Sequence, residues 1–296
     1  MENQVGQKPA DLKPEILLVS ASSLSTLQAR PSIRHYVRSI WRNRHYIASD
    51  ARARVFSSGR GMLLGAAWIF LNPAIQVALY AFVFGFILKV DRGMDNFLGF
   101  LIIGVILFGF ISGGLGGGVR IIQANRGLLK SFNFPKATVP LSKGLKSAID
   151  NIPALCLAVI AALISQYWIT PSWTALLIIP LYILMQFFLT GIIFLVGRLT
   201  AFIPDFGSLV NVVTRILFFT SGVFWPIDRF IHDPEIARIV MNNPCYQFLD
   251  VARTLVLDGA IPPLSTWLAL TLWSFGAFIL GLVYFWRAEH RYAAIK

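Results

Sequence analysis

Four stretches of the chain contain no Asp, Glu, Lys or Arg: residues 61–88, 96–119, 151–197 and 259–286. A helix needs roughly 20 apolar residues to cross the hydrocarbon core of a bilayer, so three of these runs fit one crossing each. The longest fits two, with Thr170-Pro171-Ser172 as the turn between them. Residues 206–225 add another candidate, with Arg215 as the single charge. The pattern predicts an all-α membrane protein of six spans, at about 61–88, 96–119, 147–166, 173–197, 206–227 and 264–286.

Outside the spans the periodicity changes. Residues 1–32 are polar, Ser-rich and aperiodic, and read as a disordered cytosolic tail. Across 33–58, Ile33, Tyr36, Val37, Ile40, Trp41, Ile47, Ala51 and Val55 recur at helical spacing, while Arg34, Arg38 and Arg42 ladder along another side. This predicts an amphipathic helix lying on the inner leaflet, with Trp41 at the boundary. Between the last two spans, 231–240 and 246–257 read as short re-entrant or interfacial helices split by Asn242-Asn243-Pro244. With no apolar run in the first 60 residues long enough to cross, the first span is expected to act as the insertion signal.

Charge fixes the expected orientation. The formal net charge of +12 is sorted by loop: ten Lys and Arg precede residue 61, six lie in 120–146 and three in 287–296. The other connections are poor in them: Lys89 and Arg92 sit beside Asp91 and Asp95, and 228–258 has three Arg among five acids. By the positive-inside rule both termini are cytoplasmic. A nucleic-acid binder would carry its charge on a soluble face, so that class is excluded. Only 14% of residues are charged, as lipid demands. Cys156 falls in the third span and Cys245 in the last external loop, too far apart to pair. No Cys/His cluster has metal-ligand spacing, and no P-loop occurs, so ATP is not expected to bind this chain.

Several features carry candidate chemistry. Residues 120–146 predict a short basic cytosolic helix ending before Pro135, able to relay force from a bound partner or simply to connect spans. Gly109, Gly113, Gly114, Gly117 and Gly118 make small-xxx-small pairs that favour close helix packing. Ser208, Asn211, Arg215 and Gly222 share one face of the fifth span. An arginine at mid-bilayer costs roughly 2.5–3.5 kcal/mol, so Arg215 faces the bundle interior or water, in a conduit or in a structural pair.

The basic helix leading to Gly65-Ala-Ala-Trp68 and Asn72-Pro73 resembles the start of ATP-binding-cassette permeases that export polysaccharides. So do Asn125-Arg126 through Phe134-Pro135-Lys136, the following Val139-Pro140-Leu141-Ser142, and Asn243-Pro244 with Asp250 and Arg253. The resemblance covers about 33–290, and Ser131 to Pro135 is most similar to actinobacterial galactan exporters. Two departures matter. Pro204-Asp205 lacks the Arg that many members place before the Asp, and Ser221-Gly222 stands where many have Ser-Pro, so the helix break there is not carried over.

The resemblance implies two copies of this chain with two copies of a separate ATPase, which alone would hold ATP and Mg. Asn125, Arg126, Leu129, Phe132, Phe134, Pro135 and Lys136 would meet that subunit. The implied substrate is a polysaccharide on a polyprenyl diphosphate. Sugar rings pack on aromatic faces, so Phe84, Phe108, Phe110, Phe218, Phe219, Phe224 and Trp225 join Asn211 and Arg215 as path candidates. A drug exporter of the same superfamily and a transferase acting on lipid-linked sugars are the alternatives.

Overall fold

Asn43 divides the expected interface helix in two. Its carboxamide donates to the Ser39 carbonyl at 2.8 Å, a local bond that competes with the helical ladder. The computed structural model describes residues 32–57, 67–87, 96–131, 134–166, 172–226 and 233–294. In it α1 covers Ile33–Arg42 and α2 covers Arg44–Ser57, in place of one helix over 33–58. The tail ahead of residue 32 lies outside the described residues.

Next comes α3, Trp68–Tyr80, which continues as a π-helix over Ala81–Ile87. Then follow α4 (Phe97–Gly118), α5 (Ile121–Ala124), α6 (Arg126–Ser131) and α7 (Thr138–Ile164). A 3₁₀ turn over Trp173–Leu177 leads into α8 (Ile178–Phe202), and α9 spans Phe206–Thr220. The chain closes with α10 (Pro234–Met241), α11 (Pro244–Val256), α12 (Leu264–Trp286) and a 3₁₀ turn over Glu289–Ala294. All regular structure among the described residues is helical. The helices α4, α7, α8 with its 3₁₀ lead, and α12 are long and apolar enough to cross a membrane. The other two apolar helices are shorter, Phe70–Phe84 and Phe206–Thr220.

Helix α7 starts at Thr138, ahead of the expected 147. Its basic residues are absorbed on its flank: Lys146 pairs with Asp150 one turn on, and the Lys143 stem lies over Gly117. Pro140 falls in the first turn, where its missing N–H is not needed.

Side-chain contacts give the helix directions. Gly114 and Gly118 of α4 meet Leu189 and Val196 of α8, so that pair is parallel. Gly191 and Arg198 of α8 meet Ala277 and Tyr284 of α12, again parallel. Tyr182 and Thr190 of α8 meet Ala148 and Gly144 of α7, which runs the other way. Gly207 and Phe218 of α9 meet Val119 and Phe108 of α4, also antiparallel. Successive long helices therefore alternate in direction. At the tightest crossing a Cβ on Gly191 would stand 2.4 Å from the Ala277 backbone carbon, so α8 and α12 touch backbone to backbone.

The alternation sorts the short elements. At one end α1, α2, α5, α6 and the last 3₁₀ turn gather, tied by bonds such as Arg54 to Asn125 Oδ1 at 3.0 Å. At the other end lie α10 and α11. Helix α11 has Pro244 in its first turn and Asn243 as N-cap, whose side chain accepts from the Cys245 N–H at 3.0 Å. Its C-terminal carbonyls are met by Gln166 on Leu257 at 2.7 Å and Thr174 on Leu255 at 2.8 Å. Phe248, Leu249 and Leu255 are wholly buried, and α11 shares one core with α4, α7 and α8.

Candidate transport path and coupling face

Helix α9 carries its polar stripe outward. Ser208, Asn211 and Arg215 are all exposed, along the flank of the face that Gly207 and Phe218 turn to α4. Arg215 has no hydrogen-bond partner or ion pair among the described residues. Beyond Thr220 the helix stops and the chain turns at Gly222, with φ +60, a conformation that glycine adopts without strain. The break that many permeases make with Ser-Pro is thus present here, made by glycine.

The turn is held by a residue that the sequence reading left without a role. Arg253 of α11 is buried and donates to three carbonyls: Phe100 at 3.2 Å, Gly222 at 3.0 Å and Val223 at 3.1 Å. Its guanidinium also lies 3.4 Å from the Phe100 ring centre. One planar fork therefore joins α11, α4 and the end of α9. A signal was present in the sequence: Cys245, Phe248, Leu249, Ala252, Arg253 and Val256 share one helical face, so Arg253 interrupts an apolar stripe.

Most of the aromatic candidates converge. Phe108 lies edge-on to Phe218 at 5.1 Å, Phe218 to Phe224 at 5.2 Å, and Phe224 lies 6.2 Å from Phe84. Phe219 flanks Phe218 at 5.5 Å and is 63% exposed beside the polar stripe. Phe110 does not join them. It is buried on another side of α4, against Tyr182 at 6.2 Å. Trp225 is half-buried just past the Gly222 turn.

At the opposite end the coupling candidates separate into inward and outward groups. Leu129 and Pro135 are buried. Asn125 is engaged by Arg54, and its own Nδ2 donates to the Ile121 carbonyl at 2.8 Å, kinking the expected helix into α5 and α6. Phe134 lies 5.3 Å from Tyr46 of α2. Arg126 is exposed, and Phe132 lies outside the described residues. Lys136 belongs to a buried polar knot. Its N–H donates to Glu289 Oε1 at 2.8 Å, its ammonium stands 3.9 Å from the same oxygen, and the Ala137 N–H donates to the Tyr36 hydroxyl at 3.2 Å.

On α1, Arg34, Arg38, Trp41 and Arg42 are exposed, as expected of a surface helix. The two cysteines lie in different settings. Cys245 is buried at the start of α11, and Cys156 lies on the outer face of α7.

Residues 52–257 match the ABC-2 type transporter family. The chain is 22% identical over 235 residues to the O-antigen export system permease protein RfbA of Myxococcus xanthus, which covers 79% of this chain and 88% of that protein. It is 25% identical over 252 residues to the O-antigen export system permease protein RfbA of Klebsiella pneumoniae, covering 83% and 91%.

Proposed function

Because this chain belongs to the ABC-2 type transporter family, we propose that it is the membrane subunit of an exporter carrying a polyprenyl-diphosphate-linked polysaccharide across the bacterial cytoplasmic membrane. Two copies would pair with two copies of an ATPase, and ATP and Mg would bind there. In this reading α3 and α9 complete six spans, and the end that gathers α1, α2, α5, α6 and the last 3₁₀ turn faces the cytoplasm. The relatives' names supply the substrate class. Cell-wall galactan is the first sugar polymer to test, on the wording of Ser131 to Pro135.

One observation carries the path. Arg215, Asn211 and Ser208 are exposed on an apolar helix, and a guanidinium facing lipid tails carries an insertion cost of roughly 2.5–3.5 kcal/mol. The stripe therefore belongs against water or against a second copy of the chain, which is where a conduit would run. The ladder of Phe84, Phe224, Phe218 and Phe219 next to it offers faces to sugar C–H groups. On the cytoplasmic side Arg126 presents a charge to the ATPase, while Leu129 and the Glu289 knot hold the segment to the bundle.

The test is export of a labelled lipid-linked polysaccharide by the chain and its ATPase in proteoliposomes. Arg215→Lys keeps the charge and loses the fork, and Arg215→Leu removes both. Both variants are expected to assemble, with export lowered and the leucine variant worse. Full export by Arg215→Leu removes Arg215 from the path.

A further inference from the structure

On the outside of the bundle α1–α2 forms one wall of a groove whose other walls are α7, α8 and α12. Its volume is about 760 Å³, within the roughly 300–1,000 Å³ of small-ligand sites. Along α7 the lining runs from Leu141 to Ile152, about 16 Å of helix at 1.5 Å per residue. The surface is almost wholly apolar, with Ile183 and Phe187 among the lining residues.

Of the four polar side chains on that surface, Tyr182 and Thr190 spend their hydroxyls on the Ala148 and Gln186 carbonyls, which leaves Arg44 and Gln186. Arg44 is exposed on the α2 side, its guanidinium 5.3 Å from the centre of the Trp41 ring. Gln186 lines the α8 wall, with both carboxamide atoms buried beside Tyr182. The α1–α2 pair is basic: Arg34, Arg38 and Arg42 are exposed, while Asp50, the one acid on α1–α2, is held by Arg54 at 2.9 Å.

We infer that this groove holds an acyl chain of an anionic bilayer phospholipid, with the phosphate at Arg44. The walls α7, α8 and α12 are of membrane-crossing length, so the groove lies where lipid tails are the solvent. A hydrocarbon chain asks no hydrogen bonds of the lining, whereas an extended peptide would bring backbone groups that the lining could not satisfy. The guanidinium matches a phosphate, and tryptophan beside it suits the headgroup boundary. The inference needs only the membrane setting and holds in either orientation.

The probe is phosphatidylglycerol carrying a photoreactive diazirine in its acyl chain, with the full chain and its ATPase in nanodiscs and labelled peptides mapped by mass spectrometry. Labelling is expected to concentrate several-fold on residues 37–47 and 141–152 over the exposed faces of α3 and α9. Arg44→Glu, at an exposed site, should lower labelling by phosphatidylglycerol several-fold and leave labelling by the phosphatidylcholine analogue unchanged. Leu145→Trp should block both by filling the groove; if it aggregates, the Arg44→Glu result decides. Even labelling over all lipid-facing helices, or no response to Arg44→Glu, overturns the inference. Displacement of the probe by a trace of polyprenyl phosphate gives the groove to the carrier lipid instead. Protection of the groove in a cross-linked dimer gives it to a second copy, and either outcome overturns the assignment.

Discussion

The Tyr36 hydroxyl donates to Glu289 Oε2 at 2.6 Å, joining α1 to the last 3₁₀ turn across nearly the whole chain. Burial pushes the Glu289 carboxyl above its ordinary value, against the Lys136 N–H, the Tyr36 hydroxyl and the Lys136 charge, which pull it down. Burial and the neighbouring carboxylate also hold the Tyr36 phenol well above its usual value. A carboxyl raised on folding binds its proton more tightly in the folded state. Its contribution to stability is thus present below the unfolded pKa and lost as pH rises through the folded one. Thermal unfolding of the purified protein should show that slope, and Glu289→Gln should flatten it. Glu289→Ala leaves the Lys136 N–H and the Tyr36 O–H without an acceptor, at about 1–3 kcal/mol each, and should lower the midpoint at every pH.

Arg253 should behave as a rivet. Arg253→Met strips three carbonyls of their donor and is expected to cost about 3 kcal/mol or more. Arg253→Lys should recover only part of the loss, because an ammonium cannot reach three divergent carbonyls from one plane. Gly104 supplies the cross-check. A Cβ there would stand 2.3 Å from Arg253 Nη2, so Gly104→Ala should be costly in the native protein and cheaper beside Arg253→Met. Strictly additive midpoints would show that the two residues do not meet.

Glycines on these helices should fall into two classes. Gly191→Ala and Gly281→Ala push a methyl into facing backbone, at 2.4 Å in each case. No side chain can yield there, so α8 and α12 must separate and both variants should fail to fold or melt far earlier. Among the described residues nothing stands within 4 Å of an added Cβ on Gly109 or Gly113. Alanine at either should leave the midpoint unchanged or raise it, by up to about 1 kcal/mol of helix propensity. Export lost with the midpoint retained would assign that ridge to a contact between copies.

Orientation is best tested away from the native thiols. Cys245 is buried, and burial pushes its thiol up to about 12, so it should resist a membrane-impermeant maleimide from either side. With Cys156 replaced by alanine, Glu235→Cys on exposed α10 should react in intact cells. Arg126→Cys should react only after the cells are opened. The reverse pattern would invert the proposed topology.

The sequence was most legible where a local rule acts alone. Charge-free runs located the spanning helices, and Asn243-Pro244 announced the start of α11 through its N-cap. The spacing of Ser208, Asn211 and Arg215 put them on one face of α9, though only the structure shows that face turned outward. Which glycines of α4 meet α8 was hidden, because Gly109/Gly113 and Gly114/Gly118 obey the same spacing. The choice is made by Leu189 and Val196 on another helix. The partners of Tyr36 and Glu289 had no local signal at all, since their bonds exist only after the chain has closed on itself.

Helix α11 also fixes an order of assembly. Its 13 residues reach about 20 Å, short of the roughly 30 Å hydrocarbon core. With Asp250 and Arg253 on board it cannot partition into lipid by its own hydrophobicity. It can enter only a pocket already built, from Phe100 of α4, Gln166 at the end of α7, Thr174 ahead of α8, and the Gly222 turn. These four precede it in the chain, so the ribosome delivers most of the socket before the plug, and Leu270 of α12 closes the same core afterwards. A circular permutant that places 244–256 first would present the plug to bare lipid, where its arginine has no carbonyl to meet.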